Sequence, residues 1–132
     1  MGVIGVSLAV NAKTSNRVVD FFDCDASAAV GDLVYQDTTV DQSVIVASNN
    51  TTTEPIIGIV FDKSDSTRCR VLFIGVMVGY SGLTRGGKIF LSTLGGVTTT
   101  KPATGYMHIL GVAVSATEIL FLPNNVRILQ NV

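Results

Sequence analysis

The sequence predicts an all-β fold, a compact β-sandwich or small β-barrel with an internal pseudo-repeat and extended N- and C-terminal segments. About a third of the 132 residues are Val, Ile or Thr, whose β-branched side chains are stiff at χ1 and favour pleated strands. Charged residues make up only 14% of the chain, against a usual share of about 25%. No segment shows the apolar period of 3.6 residues that is typical of a helix.

The pseudo-repeat is predicted by a pattern of three short segments that occurs twice. Each copy opens with a glycine and an apolar strand, continues with a strand that contains a second glycine, and closes on an apolar run. The segments are GDLVY (31–35), IGIV (57–60) and VLF (71–73) in the first copy, and GKIFL (87–91), LGVA (110–113) and ILF (119–121) in the second. Repetition of strand-like pieces at this spacing indicates a duplicated β-unit, and two copies should form one body rather than a solenoid.

In the first copy, turn residues divide the chain into short strands. Residues 1–22 read as one or two strands with a turn near 11–16, and the small polar residues 24–30 read as a loop. The alternation after Gly31 predicts a strand, residues 44–47 predict the next, and Pro55 sets the entry to a third at 56–61. The polar segments 49–54 and 62–67 are predicted as exposed loops.

Residues 70–80 are the longest predicted strand, and its two glycines predict a bulge or bend. After the linker 81–87, the second copy repeats the pattern of strands and turns. Its predicted strands are 88–92, 97–100, 106–114 and 118–122. The only helices that the sequence allows are single turns at 27–30 or 82–85.

The chain has the size of one domain, with a predicted N-terminal arm or strand (1–22), a single β-domain (23–123) that contains pseudo-repeats at about 31–73 and 87–121, and a C-terminal tail (124–132). The first ten residues are apolar but lack the basic start of a secretion signal, so they resemble a strand or arm that lies on another surface. No apolar stretch approaches the roughly 20 residues that span a bilayer. No membrane partner is therefore expected.

Charge and hydropathy point to assembly rather than to nucleic acid. The formal net charge is −1, and the nine basic residues are scattered along the chain, whereas nucleic-acid binding needs a clustered basic face. The mean hydropathy of +0.48 is high for a free-standing monomer. Surplus apolar surface favours an oligomer or a component of a larger assembly.

The sequence offers no catalytic set. His108 is the only histidine and sits in the apolar segment YMHILGV, so a structural or interface role is favoured over a base or zinc ligand. Cys24 and Cys69 lack a CxxC motif or a neighbouring histidine, and both are expected to be partly buried, with a disulfide between them left open. The glycine-rich RGGK segment (85–88) departs from a phosphate-binding loop and is predicted as a hairpin turn.

Two groups of aspartates have the composition of a cation site but not its spacing. They are Asp20, Asp23 and Asp25, and Asp62 with Asp65. Hard cations prefer several oxygen ligands, yet the regular D-x-D-x-D-G loop is absent, and solvated strand ends are favoured. We therefore predict no catalytic residue, no metal site and no cofactor, and a protein that is not an enzyme.

The second copy resembles a pattern found in small structural proteins of tailed bacteriophages, in which it closes a β-domain. The matching positions in residues 82–123 are Gly82, Leu83, Thr84, Leu91, Ser92, Gly95, Gly96, Val97, Thr98, Pro102, Gly105, Gly111, Ala113, Ser115 and Thr117. The segment ASAAVGDLVYQDTT (26–39) resembles the opening of phage capsid decoration, or cement, proteins. The likeness covers residues 26–123 in all, and Arg85 stands where the pattern has proline.

This resemblance implies a virion protein on the outer surface of an assembled capsid, where it binds the major capsid protein and stabilises contacts between capsomers. Self-association as a dimer or trimer is expected. An apolar arm suits attachment because it can add a strand to a neighbour's sheet edge through backbone hydrogen bonds. The predicted capsid or subunit contacts are Val3, Ile4, Val6, Leu8, Val10, Val126, Ile128 and Leu129.

Two alternatives stay open at this point. The same pattern fits a neck, tail or head-fibre component of the virion. A module that binds a host glycan through the threonine-rich segments 51–53 and 98–100 is the other alternative, but the chain has no Trp, and sugar sites usually offer flat aromatic faces.

Overall fold

A computed structural model of the chain describes residues 18–123 and the backbone of residues 129–130. The described residues form strands, turns and loops and contain no helix, which confirms the all-β prediction. The strands are β1 (Val18–Cys24), β2 (Leu33–Gln36), β3 (Ser43–Val46), β4 (Ile56–Asp65), β5 (Arg68–Val78), β6 (Lys88–Leu91), β7 (Val97–Thr98), β8 (Tyr106–Met107), β9 (Ile109–Ala113), β10 (Glu118–Phe121) and β11 (Leu129–Gln130).

Nine of these strands form one sheet in the order β1-β3-β2-β4-β5-β10-β9-β6-β7, and β8 pairs with β11 apart from it. Strand β1 also pairs with β5, so β1, β3, β2, β4 and β5 close into a five-stranded ring. The closing contact between β1 and β3 is parallel and only two residue pairs long, Asp23 with Ser43 and Cys24 with Val44. Strand β5 passes from the ring into the second sheet, where its last four residues pair with β10.

The buried apolar residues fall into two clusters, one on each side of the β2-β4-β5 wall. Every ring strand contributes to the ring cluster, which consists of Phe22, Cys24, Ala28, Val34, Val44, Val60, Cys69 and Val71. The interlayer cluster joins this wall to β6, β9 and β10 and includes Leu33, Ile59, Leu72, Ile89, Leu110, Ile119 and Phe121. Successive residues of a strand point to opposite faces, so each wall strand contributes to both clusters.

The two halves of the sheet share one pairing pattern, β3-β2-β4-β5 in the first and β7-β6-β9-β10 in the second. Both contain a register shift at the same place, between β2 and β4 and between β6 and β9. The amide of Gly31 donates to the Val60 carbonyl at 2.8 Å, and the amide of Gly86 donates to the Ala113 carbonyl at 2.8 Å. These hydrogen bonds make Gly31 equivalent to Gly86. The matched sequence motifs instead align Gly31 with Gly87, so the two alignments differ by one residue.

Three local expectations from the sequence differ from the structure. Strand β4 continues to Asp65, so most of the predicted loop 62–67 is strand, and a tight turn at 65–68 leads into β5. The predicted strand 106–114 is interrupted at His108. The segment 49–54 is not simply an exposed loop, because Asn49 and Thr52 are buried.

Candidate functional site

His108 is buried and contacts the backbone of segment 49–54. Its Nε2 lies 2.9 Å from the backbone carbonyl oxygen of Thr52, so Nε2 carries a proton and donates it to that oxygen. Burial lowers the pKa of His108, while the Thr52 carbonyl and the nearby Glu54 act in the opposite direction. The imidazole of His108 thus holds segment 49–54 against the break between β8 and β9.

The buried histidine predicts acid sensitivity. Because the folded pKa lies below the unfolded value, the unfolded chain binds more protons below about pH 6.5. Above pH 7, the titration of His108 should not change the free energy of unfolding. As the pH drops through 6.5 towards the folded pKa, the free energy of unfolding should fall. Urea unfolding between pH 5 and 7.5 measures this slope. The variant His108→Gln, which keeps a donor for the Thr52 carbonyl, should lack it, and an equal slope in both proteins would contradict the prediction.

The aspartates that could have formed a cation site are engaged elsewhere. Asp23 accepts a hydrogen bond from Arg68 at 2.9 Å, and Asp62 accepts a bidentate pair from Arg70, with Nε 3.0 Å from each carboxylate oxygen. Asp25 and Asp65 accept backbone amides two residues further on, as turn residues do. Within residues 18–123, no three His, Cys, Asp or Glu side chains lie close enough together to hold a metal ion.

Cys24 and Cys69 are both buried in the ring cluster, and both are free thiols. Burial, and then the adjacent Cys24 thiol, raise the pKa of Cys69 to about 12. A thiol that stays protonated in an apolar interior is a poor nucleophile. Both side chains therefore serve as packing groups of the ring cluster.

The arm residues predicted as contacts, Val3 to Val10, lie outside the described residues, as do the side chains of Val126, Ile128 and Leu129. The structure does show where both segments join the body. The N-terminal segment enters at Val18, which pairs with Ile74 on β5. The C-terminal segment leaves after Pro123, which lines a groove together with the same Ile74.

This tail groove has a volume of about 460 Å³ and is lined by Ile57, Phe73, Ile74, Leu122 and Pro123. All five lining residues are apolar. Phe73 and Ile57 pack against the ring cluster from their other side, whereas Ile74 and Leu122 are about half exposed. The groove thus borders the ring cluster, and no pattern in the sequence indicates that Val18 and Pro123 lie so close to it.

An open strand edge lies beside the tail groove. Strand β1 pairs with β5 along most of its length, but on its other edge it pairs with β3 only at Asp23 and Cys24. Among the described strands, none covers residues 18–22 on that edge. There the Phe21 carbonyl accepts the Gln42 side-chain amide at 3.1 Å, and the Phe21 amide donates to its neighbour Asp20. Such an edge can accept an added strand.

A second apolar surface, which we call the outer sheet face, consists of Val76, Val78, Val112, Val114 and Leu120. Cross-strand pairing places Val76, Leu120 and Val112 in one row across β5, β10 and β9. Val78 is 55% exposed, and Val112 and Val114 are each 41% exposed. The alternation of side chains along β9 and β10 predicts that each strand has two faces. The sequence alone does not say which of the two faces is covered.

No helix among the described residues is long and apolar enough to cross a membrane. No protein-family profile matches the sequence, and a comparison with curated proteins finds no significant match.

Proposed function

We propose that this chain is a structural protein of a phage virion that binds the outside of the assembled capsid and stabilises contacts between capsomers. The observation that supports the proposal is that Val18 and Pro123, which border the two terminal segments, both lie at Ile74, beside an apolar groove and an open strand edge. Because residues 129–130 pair with β8 of the same chain, the attachment is assigned chiefly to the N-terminal arm.

The open edge and the groove suit weak contacts that are repeated many times. Strand addition supplies backbone hydrogen bonds, which tolerate the plain Val, Ile and Ala sequence of the arm. An apolar side chain that enters a groove adds about 1.5–3 kcal/mol. On a capsid lattice, copies that also contact each other gain avidity without any single tight site.

The proposal predicts the copy number of the chain in virions. Quantitative mass spectrometry of purified particles should give a ratio to the major shell protein near one, or a simple fraction of one. A handful of copies per particle would instead place the chain in the neck, tail or head fibre. Absence from the particles would overturn a virion role and favour a free binding module.

Attachment by the arm predicts a second result with the full-length chain. The substitution Leu8→Asp places a charge in the apolar arm, and we expect at least a tenfold loss of binding to undecorated particles, since burying a leucine contributes about 1.5–3 kcal/mol. The matched control is Leu94→Asp, at a residue that is 80% exposed on the turn between β6 and β7. Co-sedimentation measures both variants, and equal binding would show that the arm does not attach the protein.

A further inference from the structure

Equivalent faces of the two halves of the sheet differ in burial: the face is covered in the first half and exposed in the second. The pairing pattern makes Leu72 equivalent to Leu120 and Ile59 equivalent to Val112, since Leu72 pairs with Ile59 and Leu120 pairs with Val112. In the first half these two residues are fully buried in the interlayer cluster, where the sheet of the second half covers them. In the second half, Val112 is exposed and Leu120 is half-buried.

The opposite faces of the two halves are both covered. Val71 and Val60 fill the ring, and their equivalents Ile119 and Ala113 fill the interlayer cluster. The second half is thus a sheet with one covered face and one face on which an apolar patch, bordered by Glu118 and Lys88, is partly exposed to water. The first half shows that such a face packs against another β-branched sheet of this chain.

The exposure of the surface supports the same conclusion. Together with Ile74 and Leu122 at its border, the outer sheet face has five large apolar residues that are each between 41% and 55% exposed. Contiguous apolar patches of this kind mark interaction sites. Sheets that pack face to face bury their apolar rows at a separation of about 10 Å.

We propose that the outer sheet face is a two-fold interface with the same face of a second copy of this chain. Inside the molecule, the equivalent face is covered by an apolar sheet of the same chain. The outer sheet face is itself a surface of this kind. Because the surface is the same on both subunits, the interface closes after two copies and gives a dimer. This inference does not depend on the proposed capsid role.

The test is the oligomeric state of the full-length chain in solution, measured by light scattering after size exclusion and by sedimentation at several micromolar concentrations. The wild-type chain should be a dimer. The substitution Val112→Lys puts a second positive charge on the face, directly opposite its cross-strand partner Lys88, where burial without an opposite charge is costly, and should raise the dissociation constant at least 100-fold. The matched control is Val40→Lys, at a 50% exposed valine on the loop between β2 and β3, which should leave the dimer intact.

Circular dichroism and thermal melting establish that both variants are folded. If Val112→Lys is not, Val78→Glu, which lies opposite Glu118, provides a second variant of the face. A wild-type monomer would overturn the proposal and assign the face to another occupant, such as the chain's own terminal segments or a shell protein. A dimer that persists in both folded face variants, or a trimer, would also overturn it, because neither is compatible with a two-fold contact through this face.

Discussion

Gly111→Ala should prevent the protein from folding or destabilise it by more than about 4 kcal/mol, a loss that single substitutions rarely cause. A Cβ at position 111 would overlap the backbone carbonyl oxygen of Leu120 on the paired strand β10. The backbone there has φ of +150°, which side chains rarely adopt. Strand β10 cannot move aside, because its next residue, Phe121, is fully buried.

Gly58 is the equivalent position in the first half and makes the equivalent contact. A Cβ there would lie 2.5 Å from the carbonyl oxygen of Leu72, the counterpart of Leu120, and would overlap Val71. Gly79→Ala distinguishes the steric overlap from the backbone strain. Gly79 also has a positive φ, of +103°, but nothing lies within 4 Å of an added Cβ. We expect Gly79→Ala to cost only about 1–2 kcal/mol. Urea unfolding measures both variants, and a Gly111→Ala protein no less stable than Gly79→Ala would show that the two strands do not approach so closely.

The sequence predicts the strands of the repeat well because each pairs with a near neighbour in the chain. The segments after Gly31 and Gly87 form β2 and β6, and the glycine-containing strands that follow pair directly with them. The predicted bend in the long strand is also present, since β5 leaves the ring at Gly75. Local pattern and local pairing agree here, and such agreement makes a fold readable from sequence.

The sequence does not reveal contacts that depend on distant strands. The ring closes by two parallel residue pairs between β1 and β3, and no local signal specifies a pairing that is so short and non-local. Likewise, Ile59 and Val112 occupy equivalent positions in similar strands, yet one is buried and the other exposed. Period two shows that a strand has two faces, but only the tertiary structure decides which face is covered.

The aspartates and the segment 49–54 have contacts that their composition does not reveal. The side chains of Asp23 and Asp62 are solvent-exposed, as predicted, but they also pair with Arg68 and Arg70, which lie over the rings of Phe21 and Phe61. Segment 49–54 is predicted to be exposed, yet its Thr52 carbonyl contacts the buried His108. In each case the partner is more than five residues away in the chain, so local composition does not indicate the contact.

Phe22→Ala should cost about 3–5 kcal/mol of unfolding free energy, the usual range for a buried phenylalanine. Phe22 is 6% exposed inside the ring and packs edge-on against Phe73 at 5.8 Å between ring centroids. Its chain neighbour Phe21 is a matched control on the same strand, because it is 44% exposed and points out of the ring. Phe21→Ala should cost no more than about 1 kcal/mol, mainly from the lost contact with Arg68.

Phe22→Ala, compared with Phe121→Ala, tests whether the two core clusters unfold together. Strand β5 carries Val71 in the ring cluster and Leu72 in the interlayer cluster, so loss of packing on one side removes support from the other. We therefore expect Phe22→Ala and Phe121→Ala, which lie in different clusters, to lower the midpoint of one shared unfolding transition. Circular dichroism and native-state hydrogen exchange distinguish the outcomes. If Phe22→Ala exposes the amides of β1 and β3 while β9 and β10 keep wild-type protection, the ring is a separate folding unit, and the shared strand does not couple the two halves.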